Sequence, residues 1–148
     1  MMNASQFYVM ARRLQDAYAT QMRPLCEETG MAQTAIDILL FLHNNPGCDT
    51  ARDICTYRQL KPALVSLYVE NLVQSGHIRR ESVPGDRRKC RLVPTEQAAQ
   101  TVEKGRALQT AFTARMLARL SPEELAAGQR CLAVITENIR SINEKGLA

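Results

Sequence analysis

The sequence predicts a mostly α-helical domain interrupted by one two-stranded β-hairpin, and three observations carry that prediction. Apolar residues recur at helical spacing over most of the 148 residues. Between Gly76 and Pro94 the pattern changes to strict alternation, the period of a strand. Proline–glycine pairs stand at "NNPG" and "VPGD", where helices stop or the chain reverses. Hydrophobic residues make up 45% and charged residues 23%, the balance of a globular chain rather than a disordered one.

A first helix is expected from about Ser5 to Gln21, with Phe7, Met10, Leu14 and Ala17 on one face. Pro24 and Gly30 then close the connection, with Cys26 in the loop. A second helix covers Ala32 to Asn44, apolar at Ile36, Leu39, Leu40 and Leu42. Thr50 caps a short third helix through about Tyr57, with Asp53 at its third position. A fourth begins within "QLKPALVSLYVENLVQSG", where Pro62 suits the first turn and Gly76 the exit. Val65, Tyr68, Val69 and Leu72 form its inward stripe.

"HIRRESV" and "KCRLV" then flank "PGDRR" as a hairpin. If Ile78 and Leu92 face the core, Cys90 faces inward too, and Arg79, Glu81, Lys89 and Arg91 face outward. Thr95 caps a fifth helix to about Leu120, with Val102, Leu108, Phe112 and Met116 along one side. "SPEE" from Ser121 starts a sixth, with a hydroxyl cap, a first-turn proline and Glu124 closing a capping box. Leu125, Gly128, Leu132, Ile135, Ile139 and Ile142 recur there at alternating threes and fours, the seam a second helix requires. Intramolecular burial of that seam is the competing explanation. The first and sixth helices flank the hairpin core, and a second subunit is the favoured cover.

Short helix, turn, longer helix and basic hairpin make the outline of a winged helix-turn-helix. Charge agrees with it. The chain has 19 Lys+Arg and 15 Asp+Glu, and the segment from His77 to Arg91 holds six of the bases and two of the acids. The remainder is balanced. A local patch of this kind sets up a directed field, which points to a polyanion; a solvated hairpin is the plain alternative.

Several classes recede. No GxSxG, phosphate loop or HExxH is present, and His43 and His77 have no Cys or His at zinc-ligand spacing, so neither an enzyme nor a cofactor or metal protein is expected. The longest apolar run, Ile38 to Leu42, is too short to span a bilayer, and the first residues lack a signal-peptide pattern. Five widely spread cysteines without a CxxC suit reduced thiols, hence a cytoplasmic setting.

The run "LVSLYVENLVQSGHIRRESVPGDRRKCRLVPTEQA" resembles the multiple-antibiotic-resistance regulator (MarR) family of bacterial transcription factors. Its most specific elements are Leu72, Gly76, Ile78 and Arg80, followed by Asp86 and Arg88. The family's frequent leucine–threonine pair before the fifth helix is Pro94–Thr95 here, which keeps the cap. The resemblance implies a homodimer on a pseudo-palindromic operator of double-stranded DNA. It also implies repression, relieved when a small, often aromatic, anion binds or a cysteine oxidises. Residues from about 31 to 94 would form the DNA-binding core, and those from about 1 to 30 and 95 to 148 the dimerisation helices. Phe7 and Leu14 would join Leu132, Ile135, Ile139 and Ile142 in that dimer.

The fourth helix departs from the family where bases are read. Its outward positions are Ala63, Ser66 and Leu67, where relatives often place threonine and arginine. None gives the bidentate guanine contact of arginine, so DNA shape and the wing would carry more of the specificity. Arg88 is expected in the minor groove, oriented by Asp86, with Arg87, Lys89 and Arg91 on phosphates and Lys61 and Arg79 on the same surface. Tyr8, Arg12, His43 and Tyr57 are candidate lining for a ligand cleft, each with packing or solvent as the plainer role. Cys26, Cys55 and Cys90 are candidates for redox control. A winged-helix module meeting an acidic protein is the second function class.

Overall fold

A computed structural model describes residues 3–145, and at positions 87 and 88 the backbone alone. Six helices and one hairpin follow in the expected order: α1 (Ala4–Thr29), α2 (Gln33–Asn44), α3 (Ala51–Arg58), α4 (Pro62–Gln74), β1 (Ile78–Val83), β2 (Asp86–Pro94), α5 (Ala99–Leu117) and α6 (Pro122–Lys145). The chain divides into two compact units, Met1–Phe112 and Thr113–Ala148.

In the first unit, α2 is the central pillar. Ala35 to Leu42 are all buried, as expected of a helix apolar on every side. Met22 and Leu25 of α1, Ile54 of α3, and Val65, Val69 and Leu72 of α4 belong to the same core. Ile78, Leu92, Ala98 and Val102 complete it. The stripe read on α4 is therefore correct, with Tyr68 only partly buried.

Three boundaries need correction. α1 does not end near Gln21: it runs through Pro24 to Thr29 and closes at Gly30, whose φ is 68°. A proline inside a helix removes one hydrogen bond and costs about 3 kcal/mol. Met22 and Leu25 flank it and are fully buried, so core packing holds the last two turns in place. Cys26 consequently lies on the helix, not in a loop.

Thr95 does not cap α5. Its hydroxyl donates instead to the Gly76 carbonyl at 2.5 Å, and a single 3-10 turn, Glu96–Ala98, precedes the helix. Gln97 donates to the Ser75 carbonyl at 2.8 Å, so both side chains tie the exit of α4 to the root of α5. The hairpin tip is also shorter than expected. Asp86 already pairs with Val83, which leaves Pro84 and Gly85 (φ 85°) as the turn and places Arg87 and Arg88 in β2.

Other local signals hold. Thr50 and Asp53 form the capping box of α3, Pro62 opens α4, and Gly76 leaves it at φ 78°. In the second unit, Ser121 and Glu124 form the reciprocal box at the start of α6. Along α6, Leu132, Ile135, Ile139 and Ile142 are exposed on the chain.

Candidate nucleic-acid interface

α3 and α4 are joined by the tight turn Gln59–Lys61. Gln59 adopts a left-handed φ of 53°, uncommon for a residue with a Cβ, and its side-chain amide donates to the Thr56 carbonyl at 2.6 Å. Leu60 packs partly against the core, which anchors the turn. The result holds α4 with Val65, Val69 and Leu72 inward and Lys61, Ala63, Ser66 and Leu67 outward in solvent. Ala63, Ser66 and Leu67, the outward positions read from the sequence, are exposed, as is Lys61 at the helix start. Asn71 and Gln74, which periodicity alone also places there, complete the exposed face.

The hairpin starts directly beneath α4. Ile78 and Leu92 are buried, and the register pairs Arg79 with Val93 and Glu81 with Arg91. Arg79, Glu81 and Arg91 therefore share the face opposite the core, as alternation requires. Cys90 shares the side of Leu92 but is exposed, not inward: it faces an open recess at the start of α3 rather than the core. The Leu92 amide donates to the Asp49 carbonyl at 2.7 Å, and Arg91 pairs with the Asp49 carboxylate at 2.6 Å. One residue of the α2–α3 loop thus holds the base of the hairpin through both backbone and side chain. Asp49 raises the pKa of Arg91 above its already high ordinary value, so that guanidinium stays charged.

The patch is less uniformly cationic than its composition. Arg79 pairs with Glu81 at 2.8 Å, and Arg80 with Glu70 of α4 at 2.8 Å. Arg80 holds the Glu70 carboxyl below its usual range, which neutralises the only acid on α4. Lys61 and Lys89 have no salt bridge among the described residues, nor does Arg52 of α3. Lys89 and Arg52 line one recess of about 410 Å³ with Thr50, Ala51, Asp86 and Cys90. The hydrogen bond from Thr50, more than those two cations, lowers the Asp53 carboxyl below its ordinary value. The side chains of Arg87 and Arg88, and with them the Asp86–Arg88 contact, lie outside the described residues.

Sequence reading missed a buried polar cluster behind this surface. Asp37 of α2 is only 7% exposed and accepts from Tyr18 of α1 and Arg58 of α3, each at 2.9 Å. Gln109 of α5 donates to the Tyr18 hydroxyl at 3.0 Å, and the Tyr18 ring meets Phe112 edge-on at 5.5 Å. Burial pushes the Tyr18 phenol up to about 12. The signal was the acid inside "AIDILLFL", the one polar position in an apolar run. Arg58 is the last residue of α3, so the cluster ties α1 and α2 to the turn that launches α4.

The four candidate ligand-cleft residues are not gathered by any described cavity. Tyr57 packs against Phe41 with ring centroids 6.0 Å apart, and Arg12 pairs with Asp16 at 3.8 Å. His43 lines a separate recess with Arg106 and Glu103, and Tyr8 is exposed. Burial and the nearby Asp37 raise the Cys26 thiol, the opposite of what a reactive thiolate needs. No helix among the described residues is long and apolar enough to cross a membrane.

A helix-turn-helix packed on a hairpin wing, with an outward second helix beside unpaired cations, defines the winged helix-turn-helix class. Residues 29–89 match the family model described as MarR family. No curated protein matches the sequence significantly. Transcriptional regulator PA3341 shares the fold with a TM-score of 0.81 at 22% identity, covering 90% of this chain and 97% of that one. The S. aureus MepR–DNA complex gives a TM-score of 0.75 at 17% identity over 93% of this chain and 98% of that one. BpsR of Bordetella bronchiseptica, whose DNA binding is regulated by 6-hydroxynicotinic acid, gives 0.68 at 19% identity over 88% of this chain and 98% of that one.

Proposed function

We propose that this chain is a homodimeric, DNA-binding transcriptional repressor of a pseudo-palindromic operator, released by a small aromatic anion. The observation that carries the reading is the solvent-exposed face of α4 set directly against a hairpin that holds the chain's entire excess of positive charge. In this reading residues 31–94 bind DNA, and the helices before and after them dimerise.

α4 lies in the major groove, with Ala63, Ser66 and Leu67 towards the base edges and Lys61 at a phosphate. The wing follows the adjacent backbone. Lys89 meets phosphates, joined by Arg87 and by Arg79 and Arg91 from their ion-paired positions. Arg88 reaches into the minor groove, where a narrow A·T-rich form concentrates negative potential. The exposed Phe7 and Leu14 of α1, and the exposed Leu132, Ile135, Ile139 and Ile142 of α6, support a second copy as the cover of each terminal helix, because each leaves apolar side chains in water. A two-fold dimer then sets its two α4 helices about 34–36 Å apart, one turn of B-DNA. The aromatic acid that regulates BpsR supports the ligand class.

The test is binding to duplex DNA at rising salt, with light scattering on the same sample. A regulator of this kind binds its selected site with Kd of about 10⁻⁸ M or tighter, and each phosphate contact adds about 0.9 to the log–log salt slope. A dimer that binds no duplex at low salt would reduce the patch to a protein-facing surface.

A further inference from the structure

α4 is unusual in chemistry for a helix facing a polyanion. From Pro62 to Gln74 it contains no lysine, arginine or histidine, and its one acid is held by Arg80. Leu67 nevertheless stands 55% exposed at the middle of the outward face. It is not a core residue turned aside, because Val65, Val69 and Leu72 already fill the inward side. Ala63 precedes it by one turn and Asn71 follows it by one turn, both exposed. The Asn71 side-chain amide has no hydrogen bond within the described chain, so its donor and acceptor are both available.

Leu67, with Leu64 38% exposed one turn before it, gives this face apolar surface, and an occupant that is apolar at one point and anionic around it complements it. Lys61 at the helix start supplies a cation, and Lys89 and Arg52, across the recess between α3 and the hairpin, add two more on the winged core. The duplex major groove has that combination, since its one apolar group is the thymine methyl and its rims are phosphates. An amide facing a base edge pairs in bidentate fashion with adenine.

We infer that α4 reads thymine methyl groups through Leu67, with Ala63 beside it, and reads a neighbouring adenine through Asn71. The inference rests on the DNA-binding reading and names the base chemistry that reading selects. The operator half-site then carries thymine and adenine, not guanine, under α4. Leu67 and Asn71 lie about 6 Å apart along the helix axis, which spans one to two base-pair steps.

The experiment uses the full chain and a random-sequence pool of duplexes. The selected duplex is remade with deoxyuridine in place of thymidine, one position at a time, which removes only the methyl. At one position in each half-site the exchange weakens binding about fourfold, the factor that burying one such carbon confers. Leu67→Ala weakens binding to the thymine duplex by a similar factor, abolishes the deoxyuridine effect and leaves the salt slope unchanged. Asn71→Ala relaxes the preference for adenine over guanine at one position by about tenfold, the size of a lost bidentate contact. Circular dichroism of both variants confirms that these solvent-facing changes leave the fold intact. Deoxyuridine that is neutral at every position, or guanine enriched under α4, would overturn the inference while leaving DNA binding in place. Absence of salt-dependent binding to any duplex would instead sink the functional reading beneath it.

Discussion

Replacing Asp37 with alanine removes the acceptor on which three side chains converge. Tyr18 and Arg58 donate at 2.9 Å, and Gln33 only at 3.5 Å, a length at which little is contributed. Hydrogen bonds to a charged group contribute about 1.5–3 kcal/mol each, so the two short ones set an upper range of about 3–6 kcal/mol. The low end applies, because the Arg58 side chain is 38% exposed and recovers water when its partner goes. The expected loss is about 3 kcal/mol, or roughly 6–12 °C in Tm for a chain of this size. Asp37→Asn keeps the shape and one acceptor, and should lose about half as much. Urea denaturation followed by helical circular dichroism, at one fixed protein concentration, reads both values. A loss under about 1 kcal/mol for Asp37→Ala would refute the reasoning. It would mean that desolvating the carboxylate costs about as much as its partners return.

The same cluster gives a pH prediction. The folded Tyr18 pKa, about 12, lies above its ordinary value of 10.0, so the protonated phenol stabilises the fold. That contribution is full below pH 10 and is lost as pH rises towards 12; alkaline unfolding of Tyr18→Phe should therefore be shallower over that window. Lys89→Ala should weaken binding to all duplexes about equally and lower the salt slope by about one, whereas a sequence-dependent loss would place Lys89 at a base. Ile135→Lys combined with Ile139→Lys should yield monomers by light scattering, since burying either charge unpaired is costly; an intact dimer would remove the α6 seam from the interface.

Local signals in this chain proved reliable wherever a short stretch decides its own conformation. The Thr50–Asp53 and Ser121–Glu124 boxes, Pro62 at a first turn and Gly76 at an exit each depend on residues within a few positions of one another. Pro24 in α1 misled because a breaker is a local penalty, and two buried neighbours outweigh it. Thr95 misled because its hydroxyl had a choice of partners, and the Gly76 carbonyl, 19 positions away in sequence, was the nearer one. Cys90 lies on the side of Leu92 but faces an open recess rather than the core, and a period cannot say where a core stops.

By itself, the sequence determined the order of helices and hairpin, the inward stripe of α4, and the concentration of charge at one turn. These are matters of periodicity and composition, which survive without knowledge of what packs on what. Only the tertiary structure decided which cations remain unpaired. Arg91 meets Asp49 from 42 positions away, and Arg80 meets Glu70 across the α4–β1 exit. It likewise decided that Asp37, an anomaly within an apolar run, joins α1, α2 and α3 through Tyr18 and Arg58. Ion pairs and buried polar clusters are set by side-chain proximity after the chain has closed on itself, and no spacing along one segment records that distance.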